Sequence, residues 1–330
     1  TIYMKNNKSL PTLILKNLVD KAVFVNYQQL FSKEQRWIPC QSEIASVDNF
    51  IFNNWKERLF FERLERKSNL IKETLIEENN NYEAVLFQLL AKNFGLKVNG
   101  ASFLKLAKSV NFSIIRKCSF NEKELSALLF GQAGFLEDDF EGAYYLSLKE
   151  EYTYLKHKHH LQPISKNEFS FFRMRPPNFP TIRIAQLIAL FVKHQNLFSK
   201  LMTIKSLNDF YELFSVDVHP FWKMHYNFEK QSKSSPKKLT KPFVDLLIIN
   251  TIIPLKFLYQ KSREEVNENE FLELLKKIKP EKNNIISKFT ELKITTKNVF
   301  ETQALLELKN NYCTPKRCLE CVIGSYLLKR

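Results

Sequence analysis

Three observations predict a mostly α-helical protein. Apolar residues recur every three to four positions along most of the chain, the spacing of one helix face. Glycine is scarce, 6 in 330 residues, which disfavours folds built on frequent tight turns. Asn, Ser and Pro stand at the starts of the periodic stretches, where the first helical N–H groups lack partners and a preset φ helps. The expected architecture is a multi-helix array with a short N-terminal β-hairpin.

The hairpin comes first. Residues 1–5 and 10–15 read as two short strands joined by Asn6-Asn7-Lys8-Ser9. An isolated hairpin is marginal in water. Residues 1–19 are therefore expected to be the remnant of a preceding β-containing region, missing here, of a longer polypeptide. Two helical subdomains, 20–165 and 166–330, are expected to follow. Val47, Phe50, Ile51, Trp55, Leu59, Phe60 and Leu64, then Ile71, Leu75 and Ile76, describe one long amphipathic helix or two nearly collinear ones. A helix over 83–94 is expected to stop at Gly95, taken as its left-handed cap. Asn121-Glu122-Lys123-Glu124 resembles a capping box. The helix it opens ends at 131–136, where Gly131 and Gly134 permit close packing and no phosphate-loop spacing is present.

Further helices are expected over 143–161, 181–195 with Pro180 in the first turn, and 207–214 behind Ser206. Others follow at 241–258, 270–278, 281–292 and 297–308. Residues 243–258 are apolar but contain Asp245, Asn250 and Pro254, and read as a core helix rather than a membrane span. No signal peptide is recognised, and an odd five cysteines suit a reducing cytoplasm better than a disulfide framework. The expected location is cytoplasmic, with no membrane partner.

Fifty Lys and Arg against 35 Asp and Glu give a net charge of +15, so nucleic acid or another polyanion is the partner class to consider. Many of the cations alternate with acids, as in Glu62-Arg63-Leu64-Glu65-Arg66-Lys67, and read as solvated helix faces. Only residues 230–241 (KQSKSSPKKLTK) form a run of one sign.

Cys313, Cys318 and Cys321 form a C-x4-C-x2-C cluster, close enough for their thiolates to share one metal ion. Cys40, in a Pro-containing loop, is the preferred fourth ligand, with Cys118, His219 and His225 as alternatives. The metal would be zinc, or less readily an iron–sulfur cluster. The metal-free alternative leaves the cysteines as small core residues of a structural interaction protein. A second segment, Arg173-Met174-Arg175-Pro176-Pro177-Asn178-Phe179-Pro180-Thr181-Ile182-Arg183, holds Arg173, Arg175 and Arg183 on a proline-stiffened connection, suited to an anion or to internal acids. An enzyme with its pocket around Arg173, Arg175 and His225 is the catalytic alternative. No His-Glu-x-x-His and no Ser/His/Asp set is present.

Three segments together, Ala127 to Leu136, Arg173 to Gln186 and Tyr312 to Gly324, carry a resemblance. So do Leu10-Pro11-Thr12-Leu13, Ile38-Pro39-Cys40, His225-Tyr226 and Thr302-Gln303-Ala304-Leu305-Leu306. The chain resembles, from end to end, the uncharacterised bacterial proteins grouped as domain of unknown function 2851. The resemblance implies a further N-terminal region with faintly nuclease-like acidic and histidine motifs, and it supplies no activity. The function expected is that of a helical binding or scaffold module, metal-stapled and nucleic-acid-associated, supporting that region.

Overall fold

The computed structural model describes residues 3–11, 13–14, 18–31 and 36–330. In chain order its α-helices are α1 (Lys21–Phe31), α2 (Asn49–Glu77), α3 (Tyr82–Phe94), α4 (Leu96–Lys108), α5 (Phe112–Cys118), α6 (Glu122–Gln132), α7 (Ala143–His159), α8 (Pro180–Lys193) and α9 (Leu197–Thr203). There follow α10 (Leu207–Leu213), α11 (Pro220–Met224), α12 (Lys241–Leu247), α13 (Ile253–Ser262), α14 (Glu268–Lys276), α15 (Asn284–Glu291), α16 (Val299–Glu307) and α17 (Val322–Leu328). A π-helical turn, Ile248–Ile252, joins α12 to α13, and a second, Leu308–Cys313, extends α16.

The expected β-hairpin is not formed. Among the described residues there is no strand; the N-terminal segment makes one antiparallel bridge, between Tyr3 and Ser9, around a turn with Asn7 at φ 57°. Tyr3 to Leu10 are exposed, so no apolar face rewards further pairing and the ladder does not extend beyond one bridge. Thr1, Ile2, Thr12 and Leu15, also assigned to the strands, lie outside the described residues.

Of the two polar caps read from sequence, Asn121 accepts a backbone N–H at the start of α6, whereas Ser206 makes no side-chain hydrogen bond at the start of α10. Asn81 accepts from the N–H groups of Glu83 and Ala84, Asn121 from Lys123, and Asn283 from Ile285 and Ile286. Each cap satisfies a donor the helix cannot, worth about 1 kcal/mol. One boundary differs from expectation. Gly95 sits at φ −66°, in right-handed space, and Leu96 takes the left-handed position at φ 55°. Gly95 is required for another reason, because a Cβ there would lie 2.5 Å from the Asn99 carbonyl oxygen. The chain turns from α3 into α4 with no loop, and only glycine fits the crowded corner.

The described chain forms two compact units. One comprises residues 1–64 and 276–330, the other residues 65–275. In the first, Trp55, Leu59, Val299 and Leu305 are fully or almost fully buried, Trp37 packs edge-on to Phe289 at 4.8 Å, and α1 packs on α17. A buried ion pair, Lys56 to Glu301 at 3.2 Å, ties α2 to the start of α16. In the second unit α3 packs on α4 and α8, and α6 on α7 and α8, around Phe87, Phe94, Phe103 and Phe130. Gly131 lets α6 and α7 meet: a Cβ there would fall 2.1 Å from the Tyr152 ring. The continuous helix Lys241–Ser262 is long and apolar enough to cross a membrane by length and composition. Here it is mostly buried, with Leu247, Ile248 and Leu255 wholly inside the unit.

Candidate functional site

The four cysteines singled out as ligands come together within the first unit. Three arrive from one end of it. The π turn Leu308–Cys313 continues α16 with an extra residue per turn, a distortion that often marks sites. It leaves Cys313 on the inner side, 8 % exposed. Thr314 and Arg317 donate backbone N–H groups to Lys309 and Tyr312 at 2.9 and 2.8 Å, and Lys316 turns the chain with φ 59°. Cys318 and Cys321 then occupy a tight turn, the Cys321 N–H meeting the Cys318 carbonyl at 3.3 Å. Gly324, in the first turn of α17, allows this turn to lie on the helix. A Cβ there would sit 2.1 Å from the Cys318 oxygen.

Cys40 arrives from about 270 positions earlier in the sequence. It opens a turn in which its carbonyl accepts from Glu43 and Ile44 at 3.0 and 2.9 Å. Arg36 donates to the Pro39 carbonyl at 3.0 Å, and Ile38 beside them is completely buried. The four cysteines line one small cavity of about 10 Å³, closed by Leu30, Leu308 and Tyr312. That is the volume of one water-sized sphere, too small for an organic ligand. No disulfide joins them, and all four are buried. Among the described residues, however, no three His, Cys, Asp or Glu side chains stand in a ligating arrangement. The thiols share walls of a cavity without being drawn around a common point.

Burial is the main influence on these thiols, and they raise one another's pKa further. Cys40 is pushed up to about 12 by burial and then by Cys321 and Cys318. Cys318 rises to about 11 by burial and by Cys321. Cys313 is pushed up in the same direction by burial and by the other three. Four uncompensated thiolates therefore cannot coexist here; the set is either protonated or balanced by a cation. Cys321 is also raised by burial, but the backbone N–H groups of Gly324 and Ile323 and the Trp55 indole favour its thiolate. The Trp55 Nε1 is a buried donor without a hydrogen-bond partner. Such a donor is costly unless an acceptor forms beside it, and a Cys321 thiolate is that acceptor. The Trp55 ring is held edge-on to Tyr312 at 5.2 Å, and the Tyr312 hydroxyl donates to Glu62 at 2.6 Å. Trp55 was missed as a site residue because in sequence it reads only as a periodic core position, and Gly324 because nothing local marks the close approach it permits.

The alternative ligands lie in the second unit. Cys118 ends α5 and is pushed up to about 11, chiefly by burial. His219 stacks on Tyr144 at 4.4 Å, and His225 stacks on Phe221 at 3.9 Å with its Nδ1 2.9 Å from the Phe221 carbonyl.

The arginine segment divides. Arg173, at φ 57°, and Arg175 are exposed, and the Arg173 guanidinium lies over its neighbour Phe172. Arg183 is buried, 3.9 Å from the centre of the Phe243 ring, and donates to Asn178 at 2.7 Å and Gln186 at 3.0 Å. Burial pulls its pKa down to about 10. The expected internal acids are absent: none of the three arginines makes an ion pair among the described residues, and amides and a ring hold Arg183 instead. Arg173, Arg175 and His225 are not among the residues lining the unit's large cavity, described below.

A family described as "Protein of unknown function (DUF2851)" matches residues 1–284. The matched span includes Cys40 and stops before Cys313, shorter than the end-to-end resemblance expected. No curated protein and no solved structure matches.

Proposed function

This chain belongs to the DUF2851 family, and we propose that it is a helical binding module in which one metal ion, held on Cys40, Cys313, Cys318 and Cys321, clamps two distant parts of the chain together. The observation that carries this reading is the shared cavity: four thiols from two segments about 270 residues apart line one ion-sized void. The orphaned Trp55 donor and the two backbone N–H groups beside Cys321 are the kind of outer contacts that support a metal-bound thiolate. Zinc is the metal we assign, since four thiolates and no open position describe a structural site. Its role here is to offset the mutual repulsion of the thiolates; no reaction step is assigned to it.

The partner class we assign is a polyanion, nucleic acid first. Support comes from the +15 charge and from the run at 230–241, whose Lys230, Lys233, Lys238 and Lys241 are exposed. Binding that weakens steeply as salt rises is its signature in a gel-shift series.

Elemental analysis of freshly purified protein, with its absorption spectrum, tests the clamp. The expected result is about one zinc per chain, lost in both Cys40→Ser and Cys318→Ser. Zinc retained in Cys40→Ser, or no metal in the parent protein, would remove the four-cysteine clamp. A brown protein containing iron and sulfide would replace zinc by a cluster on the same residues.

A further inference from the structure

The second unit contains a cavity of about 380 Å³, open on one side and with no cysteine in its lining. Its volume is that of a small-molecule site. Two aromatic groups wall it. Phe135, Phe169 and Phe171 form one, with ring centres 5.1 and 5.9 Å apart from Phe135. Phe140 and Phe228 form the other, each 5.1 Å from the ring of Tyr145. No ring contact links the two groups among the described residues, so the cavity is a gap between two π surfaces rather than a packing flaw within one cluster.

The gap is fixed by the chain around it. Gly134, at φ 74°, brings the turn after α6 against residues 164–166, where a Cβ would lie 2.6 Å from the Ile164 oxygen. That contact sets Phe169 beside Phe135. An ion pair between Asp138 and Lys166 crosses the rim, and the Tyr145 hydroxyl and Lys149 both donate to the Asp138 carbonyl, at 2.6 and 2.8 Å. Asn227 also lines the cavity and accepts the N–H groups of Glu229 and Lys230 through its Oδ1, while its Nδ2 makes no hydrogen bond among the described residues. The Glu229 carboxylate has neither an ion pair nor a side-chain hydrogen bond among the described residues. With Asp138 neutralised by Lys166, the lining carries one unpaired negative charge in a strongly basic protein.

Aromatic rings on two sides of a gap favour a flat ring, and a free carboxylate beside a free amide donor selects an edge that offers N–H groups next to an acceptor. Guanine presents N1–H and N2–H to a carboxylate and O6 to a donor. We propose that this slot binds a guanine base, stacked between the two phenylalanine groups with its N–H edge at Glu229 and O6 towards Asn227. This site stands independently of the metal clamp. A free nucleoside carries no phosphate, so its binding also does not depend on the polyanion reading.

Calorimetric titration of the full chain with guanosine, inosine and tetramethylammonium tests the assignment. Saturable guanosine binding is expected, weaker by roughly 10-fold for inosine, which lacks the N2 amine, and for Glu229→Gln. Glu229 is exposed, so its variant folds. Trp222, 5.0 Å from Phe228, gives an independent fluorescence readout of occupancy. Absence of saturable guanosine binding would overturn the proposal. So would guanosine binding unchanged by Glu229→Gln, or tetramethylammonium binding more tightly than guanosine, which would make the slot a cage for an organic cation.

Discussion

At the scale of single residues, the cysteine cavity makes the protein's chemistry depend on protons. Each thiol's folded pKa is raised above the ordinary 9.0, Cys40 to about 12 and Cys318 to about 11. In metal-free protein the unfolded chain therefore loses these protons first as pH rises. Stability from the buried neutral thiols is fully present below pH 9 and declines from there up to pH 11–12. Urea denaturation of chelator-treated protein between pH 7 and 10.5 should show the decline beginning near pH 9. Metal-loaded protein, with its thiols already deprotonated, should not follow that curve. The three C-terminal cysteines were legible because their spacing is local. Cys40 was legible only as a loop thiol beside a proline. The Trp55 indole left no separate signal, since a tryptophan on an amphipathic helix is expected in the core whatever its Nε1 meets. Nor did sequence reveal that Arg183 would find amides and a ring rather than an acid, because both choices leave the same pattern.

At the scale of elements, helices with polar caps were readable and departures from regularity were not. Asn121 was read as a cap and is one; Asn81, Asn283 and Asn298 cap helix starts by the same local rule but were not singled out, and Ser206, which was, makes no cap bond. The two π turns and the left-handed Leu96 arise from packing between elements distant in sequence, which no short window records. The N-terminal strands failed for the complementary reason: their local pattern was adequate, but a strand needs neighbours. Elements also depend on charges the pattern cannot rank. Lys256 on α13 is almost wholly buried, pairs with Glu270 on α14 at 2.5 Å and donates to the Ile204 carbonyl at 2.7 Å. Glu270→Gln leaves that ammonium inside without its counter-charge. A loss of about 3–5 kcal/mol is expected in chemical denaturation. Breaking an exposed pair such as Arg263 with Glu265 should leave the denaturation midpoint nearly unchanged, because solvent screens both charges.

At the scale of the whole molecule, one compact unit is built from residues 1–64 and 276–330, with the other spelled out by the continuous stretch between them. Periodicity marks helices but carries no label saying which distant helices belong together, so this grouping was beyond sequence reasoning. It yields a direct expectation for the clamp. Hydrogen exchange of chelated protein should rise together in peptides around Cys40 and around 313–328, while α6 and α8 keep their protection. Faster exchange confined to the 313–328 peptides would mean that Cys40 is not held. The discontinuous unit also has a history in time. As the ribosome makes the chain, residues 1–64 emerge and wait while residues 65–275 are synthesised, roughly 10–40 s at about 5–20 residues per second. Throughout that interval Cys40, Ile38 and the Trp55 face of α2 are without the segments that bury them. The nascent chain therefore exposes an apolar helix and a reactive thiol, making this early segment the natural target for chaperones and the point at which oxidative damage would divert folding.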